Sequence, residues 1–132
     1  MAVARPASDQ PTDGELEILK ILWETGPTEL RQICSELRRR RPVATTTVAT
    51  MLQVMLGKGL VKRSRGERQY VWSAARSEKA TTRRMVRRFV DRVFDGSAEL
   101  LMVHLLEDGE LSQRDRDEIR RMLESRLKRD RR

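Results

Sequence analysis

The sequence holds one cysteine and one histidine in 132 residues. The lone cysteine, Cys34, excludes an internal disulfide framework and any four-cysteine metal site, and it fits a reducing compartment, so a cytoplasmic location is expected. The lone histidine, His104, excludes a multi-histidine metal site within one chain. No paired-carboxylate, Ser-His-Asp, Cys-His or glycine-rich phosphate constellation accompanies it, so no enzyme, cofactor or bound metal is expected. Long apolar runs are missing as well. The longest, residues 100–106, has seven residues and contains His104, whereas a membrane span needs about 20. The N-terminus lacks the charged start and apolar stretch of a secretory leader, so neither membrane insertion nor export is expected. Aromatic residues are few: Trp23, Trp72, Tyr70, Phe89 and Phe94.

Acidic residues are nearly absent from one segment. Between Arg38 and Arg68 stand nine basic side chains (Arg38, Arg39, Arg40, Arg41, Lys58, Lys62, Arg63, Arg65 and Arg68) and one acid, Glu67. That excess equals the net charge of the whole chain, +8, so everything else balances. A local surplus of this kind points to an anionic partner, but composition alone does not separate DNA, RNA and lipid headgroups.

Residues 1–11 are small, polar and proline-bearing and read as a flexible tail. Thr12 and Glu15 have capping-box spacing. Leu16, Ile18, Leu19, Ile21, Leu22 and Trp23 then recur at helical spacing until Gly26-Pro27. Thr28 is expected to cap a second helix, with Glu29 near its positive end. Leu30, Ile33, Cys34 and Leu37 form its apolar stripe, which makes Cys34 a small core residue, and the arginine run with Pro42 ends it. A third helix is expected from about Thr45, burying Val48, Met51, Leu52 and Met55 and stopping at Gly57 and Gly59. Its other face is short, hydrogen-bonding and uncharged.

The period then switches. Residues 60–64 and 69–73 read as two strands of a hairpin turning at Arg65-Gly66-Glu67, with Arg63, Arg65 and Arg68 at its tip. From Ser77 the chain is helical again, with breaks at Asp95-Gly96-Ser97 and Asp108-Gly109 and a cap at Ser112. The expected fold is mainly α with a small β-hairpin: a winged helix-turn-helix DNA-binding domain over residues 12–75 and a helical dimerisation domain over 76–132. In such a module the third helix enters the major groove of double-stranded DNA, which RNA does not open to a helix. Thr45, Thr46, Thr47, Thr50 and Gln53 would face base edges and phosphates, and Arg41, Arg63, Arg65 and Arg68 would hold the backbone. In the second half, Val86, Phe89, Val90, Val93, Leu100, Leu101, Leu105, Ile119 and Leu123 form apolar stripes that are expected to pair with a second copy; folding back on the same chain is the alternative. His104 reads as a packing or interface residue.

Several segments resemble the bacterial penicillinase repressors, the BlaI/MecI/CopY regulators. ELEILKILWETGPTELRQI resembles the first two helices of that family, with Trp23 in its tryptophan position. VATTTVATMLQVMLGKGLVKR resembles its recognition helix and the strand after it, and LGKGLV at residues 56–61 is the most specific piece. FVDRVFDGSAELLMVHLLEDGELSQRDRDEIRRML, with an FxGS turn at residues 94–97, resembles its C-terminal half. The resemblance implies a homodimeric transcriptional repressor on an inverted-repeat operator. It also implies relief through a membrane-bound sensor metalloprotease that cuts in the dimerisation region, at a bond matching His104-Leu105 where cleaved members carry Asn-Phe. The copper-responsive branch carries a cysteine-rich C-terminal motif that this chain lacks. Two other readings stay open: a winged-helix regulator released by a directly bound small ligand, and a nucleic-acid-binding protein without sequence preference.

Overall fold

In the computed structural model, which describes residues 9–131, the first helix, α1 (Asp13–Thr25), starts at the expected capping box. The Glu15 amide donates to Thr12 Oγ1 (3.2 Å), and the Thr12 amide donates back to Glu15 Oε1 (2.9 Å). Gly26, at φ 76°, ends the helix. Of the tail expected over residues 1–11, residues 1–8 lie outside the described residues. Asp9 and Gln10 are held in place, by Arg84 at 2.8 Å and by Lys58 at 3.4 Å.

Thr28 does not cap the second helix. Thr28 and Glu29 form a short strand, β1 (Thr28–Glu29), and the Thr28 hydroxyl bonds to the Gly26 carbonyl and the Thr25 hydroxyl. Helix α2 (Leu30–Arg38) follows, with Glu29 at its N-cap and no side-chain cap bond. Helix α3 (Thr45–Gly57) ends in a two-bond stop: the Leu60 amide reaches Met55 O (2.9 Å) and the Gly59 amide reaches Leu56 O (3.1 Å), with Gly59 at φ 75°. That left-handed residue is why glycine ends the helix here. Strands β2 (Val61–Arg65) and β3 (Tyr70–Ala74) follow, each one residue later than the spacing predicts. All three strands pair antiparallel in the order β1-β3-β2, so the expected hairpin is two-thirds of a three-stranded sheet. Ile18, Leu19, Ile21 and Leu22 of α1, Ile33, Cys34 and Leu37 of α2, and Val48, Leu52 and Met55 of α3 pack with Leu60, Val61 and Trp72 into one core.

Three more helices complete the chain: α4 (Glu78–Val93), α5 (Ala98–Glu107), capped by Ser97, and α6 (Gln113–Asp130), which opens with a Ser112–Asp115 capping box. The chain divides into two compact units between Met85 and Val86, inside α4. The second unit has no core of its own like that of the first: α5 and α6 bury no residue. Among the described residues no helix is long and apolar enough to cross a membrane.

Candidate nucleic-acid interface

Helix α3 begins without a cap. Its N-cap is Ala44, which offers no side-chain acceptor, and the first helical bond runs from the Val48 amide to Ala44 O at 3.2 Å. The amides of Thr45, Thr46 and Thr47 therefore have no acceptor within the helix. Together with the helix dipole they favour an anion at this end. The three threonines occupy the first turn rather than the cap position. All three are exposed, as are Thr50 and Gln53 further along the same helix. Thr46 and Thr47 make no side-chain hydrogen bond among the described residues. Thr45 Oγ1 accepts from Arg38 Nη2 (2.6 Å), and the Thr50 hydroxyl donates to Thr46 O (2.9 Å).

A cleft of about 440 Å³ separates this face from the wing. Ala49, Thr50 and Gln53 line one side, and Gln69, Tyr70 and Trp72 the other. Arg63 is not at the wing tip. It sits mid-strand opposite Trp72, because the register pairs Arg65, not Arg63, with the first β3 residue, Tyr70. Its guanidinium carbon lies 4.3 Å from the centre of the Tyr70 ring and 5.9 Å from that of Trp72, a cation–π arrangement that holds the charge beside the cleft. Arg65 and Arg68 are exposed at the tip, where the Gly66 amide donates to Gln69 O (2.8 Å).

The basic segment is not uniformly available to a partner. Lys58 Nζ is 2.7 Å from Glu15 Oε1, with both side chains largely buried. Burial alone pushes the Glu15 carboxyl up, but the Lys58 hydrogen bond, the Thr12 amide, the Lys58 charge and the Thr12 hydroxyl outweigh it and hold the group below its ordinary value. Lys58 thus ties α1 to the end of α3. Arg41 is 3.1 Å from Glu17 and Arg39 is 3.5 Å from Glu36, both near the surface. Surface pairs of this kind contribute about 0–1 kcal/mol, so a phosphate can replace either carboxylate. Arg40, Lys62, Arg63, Arg65 and Arg68 have no ion pair among the described residues.

In the second unit, Val86, Phe89 and Val93 of α4, Leu100 of α5 and Leu123 of α6 are exposed. Leu101, Leu105 and Ile119 are half-buried, and Val90 is buried. His104 is exposed in α5, its ring centre 5.2 Å from that of Phe94. Spacing alone missed Arg38, Tyr70 and β1. Tyr70 and Trp72 alternate along one strand and so share a face, a usable signal. Arg38 acts across a turn and leaves no periodic trace.

The sequence profile of the penicillinase repressor family matches residues 11–125. The penicillinase repressor of Bacillus licheniformis is 24% identical over 115 residues, covering 87% of this chain and 90% of that protein. The methicillin resistance regulatory protein MecI of Mammaliicoccus sciuri is 21% identical over 112 residues, covering 85% and 91%. Among solved structures, a homodimeric winged helix-turn-helix DNA-binding domain from Mycobacterium bovis aligns with a TM-score of 0.46 and 21% identity, over 66% of this chain and 77% of that one. Lactococcus lactis ZitR aligns with a TM-score of 0.45 and 19% identity, over 96% and 81%. The family match spans nearly the whole described chain, and the three helices and three-stranded sheet have the winged-helix arrangement. The chain belongs to the penicillinase repressor family of winged-helix, DNA-binding transcriptional repressors, which are not enzymes.

Proposed function

We propose that this repressor sits as a homodimer on an inverted-repeat operator in double-stranded DNA. Residues 12–75 read the DNA and residues 76–132 make the dimer. Helix α3 enters the major groove with Thr45, Thr46, Thr47, Thr50 and Gln53 toward the bases, while Arg41, Arg63, Arg65 and Arg68 hold the backbone. The observation that carries this reading is the uncapped, threonine-bearing start of α3 together with wing arginines that have no ion pair among the described residues, α3 and the wing flanking one cleft.

The dimer rests on the second unit. Val86, Phe89, Val93, Leu100, Val103, Leu106, Met122, Leu123 and Leu127 are all exposed there. Each 100 Å² of apolar surface covered by a second copy would stabilise by roughly 2.5 kcal/mol. A two-fold dimer then presents two α3 helices to two half-sites, which makes the operator an inverted repeat.

Relief comes from cleavage at His104-Leu105 in α5 by a membrane-bound sensor metalloprotease. Family membership supports this, as does the exposure of His104 in a helix of 10 residues. A helix that short is marginal unless packed, so the bond can unwind into a protease. By analogy with the relatives named above, the regulated trait is antibiotic resistance.

The test starts with selection from a randomised duplex library by the purified full chain. It should return an inverted repeat, bound more tightly than a scrambled duplex at fixed salt. Equal affinity for the two would leave only non-specific binding. Mass spectrometry of the chain from induced cells checks the cleavage step; DNA release with the chain intact would favour a directly bound small ligand instead.

A further inference from the structure

Arg38 is the last residue of α2, and its guanidinium spans the turn into α3. Its Nε donates to Val43 O (3.0 Å) and its Nη2 to Thr45 Oγ1 (2.6 Å). Those acceptors lie on either side of Ala44, the N-cap that makes no side-chain bond of its own. One planar group therefore holds a backbone carbonyl on one side of the helix start and the first helical side chain on the other. Arg39 and Arg41 face carboxylates, whereas Arg38 faces only neutral oxygens. The bond from Arg38 also fills a lone pair on the Thr45 oxygen. The hydroxyl hydrogen is left to donate outward, to a phosphate oxygen, a purine N7, a guanine O6 or a thymine O4.

We propose that Arg38 is a positioning residue for sequence recognition, fixing where α3 begins and orienting Thr45 as a donor to the DNA, rather than one more phosphate clamp. This rests on the reading of α3 as the groove-entering helix. Lysine cannot replace arginine in this role, because its single ammonium does not present two coplanar N–H groups to two fixed acceptors.

Arg38→Lys, Arg38→Met, Thr45→Val and the Arg38→Met/Thr45→Val double variant test it, each as the full chain. Binding is measured across a salt series on the duplex that the wild-type chain selects from a randomised library, and on a scrambled duplex. A positioning role predicts a loss of roughly tenfold for both Arg38 variants on the selected duplex, with little change on the scrambled one. It also predicts a wild-type salt slope for Arg38→Lys, and a double variant no weaker than its worse single parent. A phosphate clamp predicts near-wild-type binding by Arg38→Lys. For Arg38→Met it predicts equal losses on both duplexes with a salt slope lower by about one, and additive losses in the double variant. That pattern would overturn the assignment. Arg38 and Thr45 are both exposed, and Thr45→Val breaks the same bond from its other end, so a misfolded arginine variant does not shield the proposal. A wild-type chain that fails to distinguish the two duplexes removes the proposed function itself; discrimination by wild type with an intact Arg38→Lys removes only the role of Arg38.

Discussion

Lys58 and Arg41 carry the same charge in the same basic segment, yet burial gives them different roles. The Lys58–Glu15 pair is out of water and joins residues 43 positions apart. Removing one member strands the other, which in buried pairs costs about 3–5 kcal/mol. Lys58→Met is therefore expected to destabilise the fold by that order at neutral pH, as read by chemical denaturation. The sign with pH follows from the Glu15 carboxyl, which lies below its ordinary value in the folded chain. Its contribution is present above about pH 4.3, the ordinary glutamate value, and is lost as pH falls through the depressed one. In Lys58→Met the Lys58 hydrogen bond and charge are lost while burial and the Thr12 bonds remain, so that carboxyl moves up from its wild-type position and protonation costs the variant less. The stability gap between wild type and variant should narrow from pH 7 to about pH 4; a constant gap would show that the pair is not charged as described. Arg65 behaves differently. It is exposed and unpaired at the wing tip, so Arg65→Ala should leave stability unchanged. It should weaken specific and scrambled duplexes alike and lower the salt slope by about one.

Among the elements, the proposed working surfaces of α3 and the wing follow from what these elements leave unsatisfied. The α3 start lacks a cap, and Thr46 and Thr50 stand on its exposed face. Replacing both with alanine should cost roughly tenfold or more on the selected duplex and little on a scrambled one. Equal losses on the two would place base reading elsewhere. The wing depends on Gly66. A Cβ there would lie 2.8 Å from Gln69 O and 2.9 Å from a Val71 methyl carbon, closer than either can tolerate. Gly66→Ala should open the turn at a cost of about 1–3 kcal/mol, seen as faster amide exchange in β2 and β3 and weaker DNA binding. The sequence announces most elements through their stop and start chemistry: Thr12 with Glu15, Ser112 with Asp115, and the glycine that ends α3. It is silent on β1, because two residues carry no period and the strand exists only where β3 offers a partner. The same register moves Arg63 from the expected tip to mid-strand.

For the whole molecule, the asymmetry between the units decides the proposed assembly. The buried core lies in the first unit, while most apolar side chains of the second unit are exposed or only half-buried. Leu123 is 60% exposed, so Leu123→Glu should cost the protomer little while placing a charge in the proposed interface. Light scattering should find monomers, and operator affinity should fall at least roughly tenfold. Leu101→Glu, from the half-buried side of α5, should do the same, and a dimer that survives both changes would place the interface elsewhere. Read from the chain alone, the helical stripes, their caps and the confinement of the surplus charge to residues 38–68 already define a basic winged module followed by helices with little core, because each depends on neighbours within a turn or two. Which of those basic groups are tied to a carboxylate or a ring was decided only by the tertiary structure. Glu15, Glu17 and Tyr70 lie far along the chain or across a strand register, and only the packed fold brings Lys58, Arg41 and Arg63 to them.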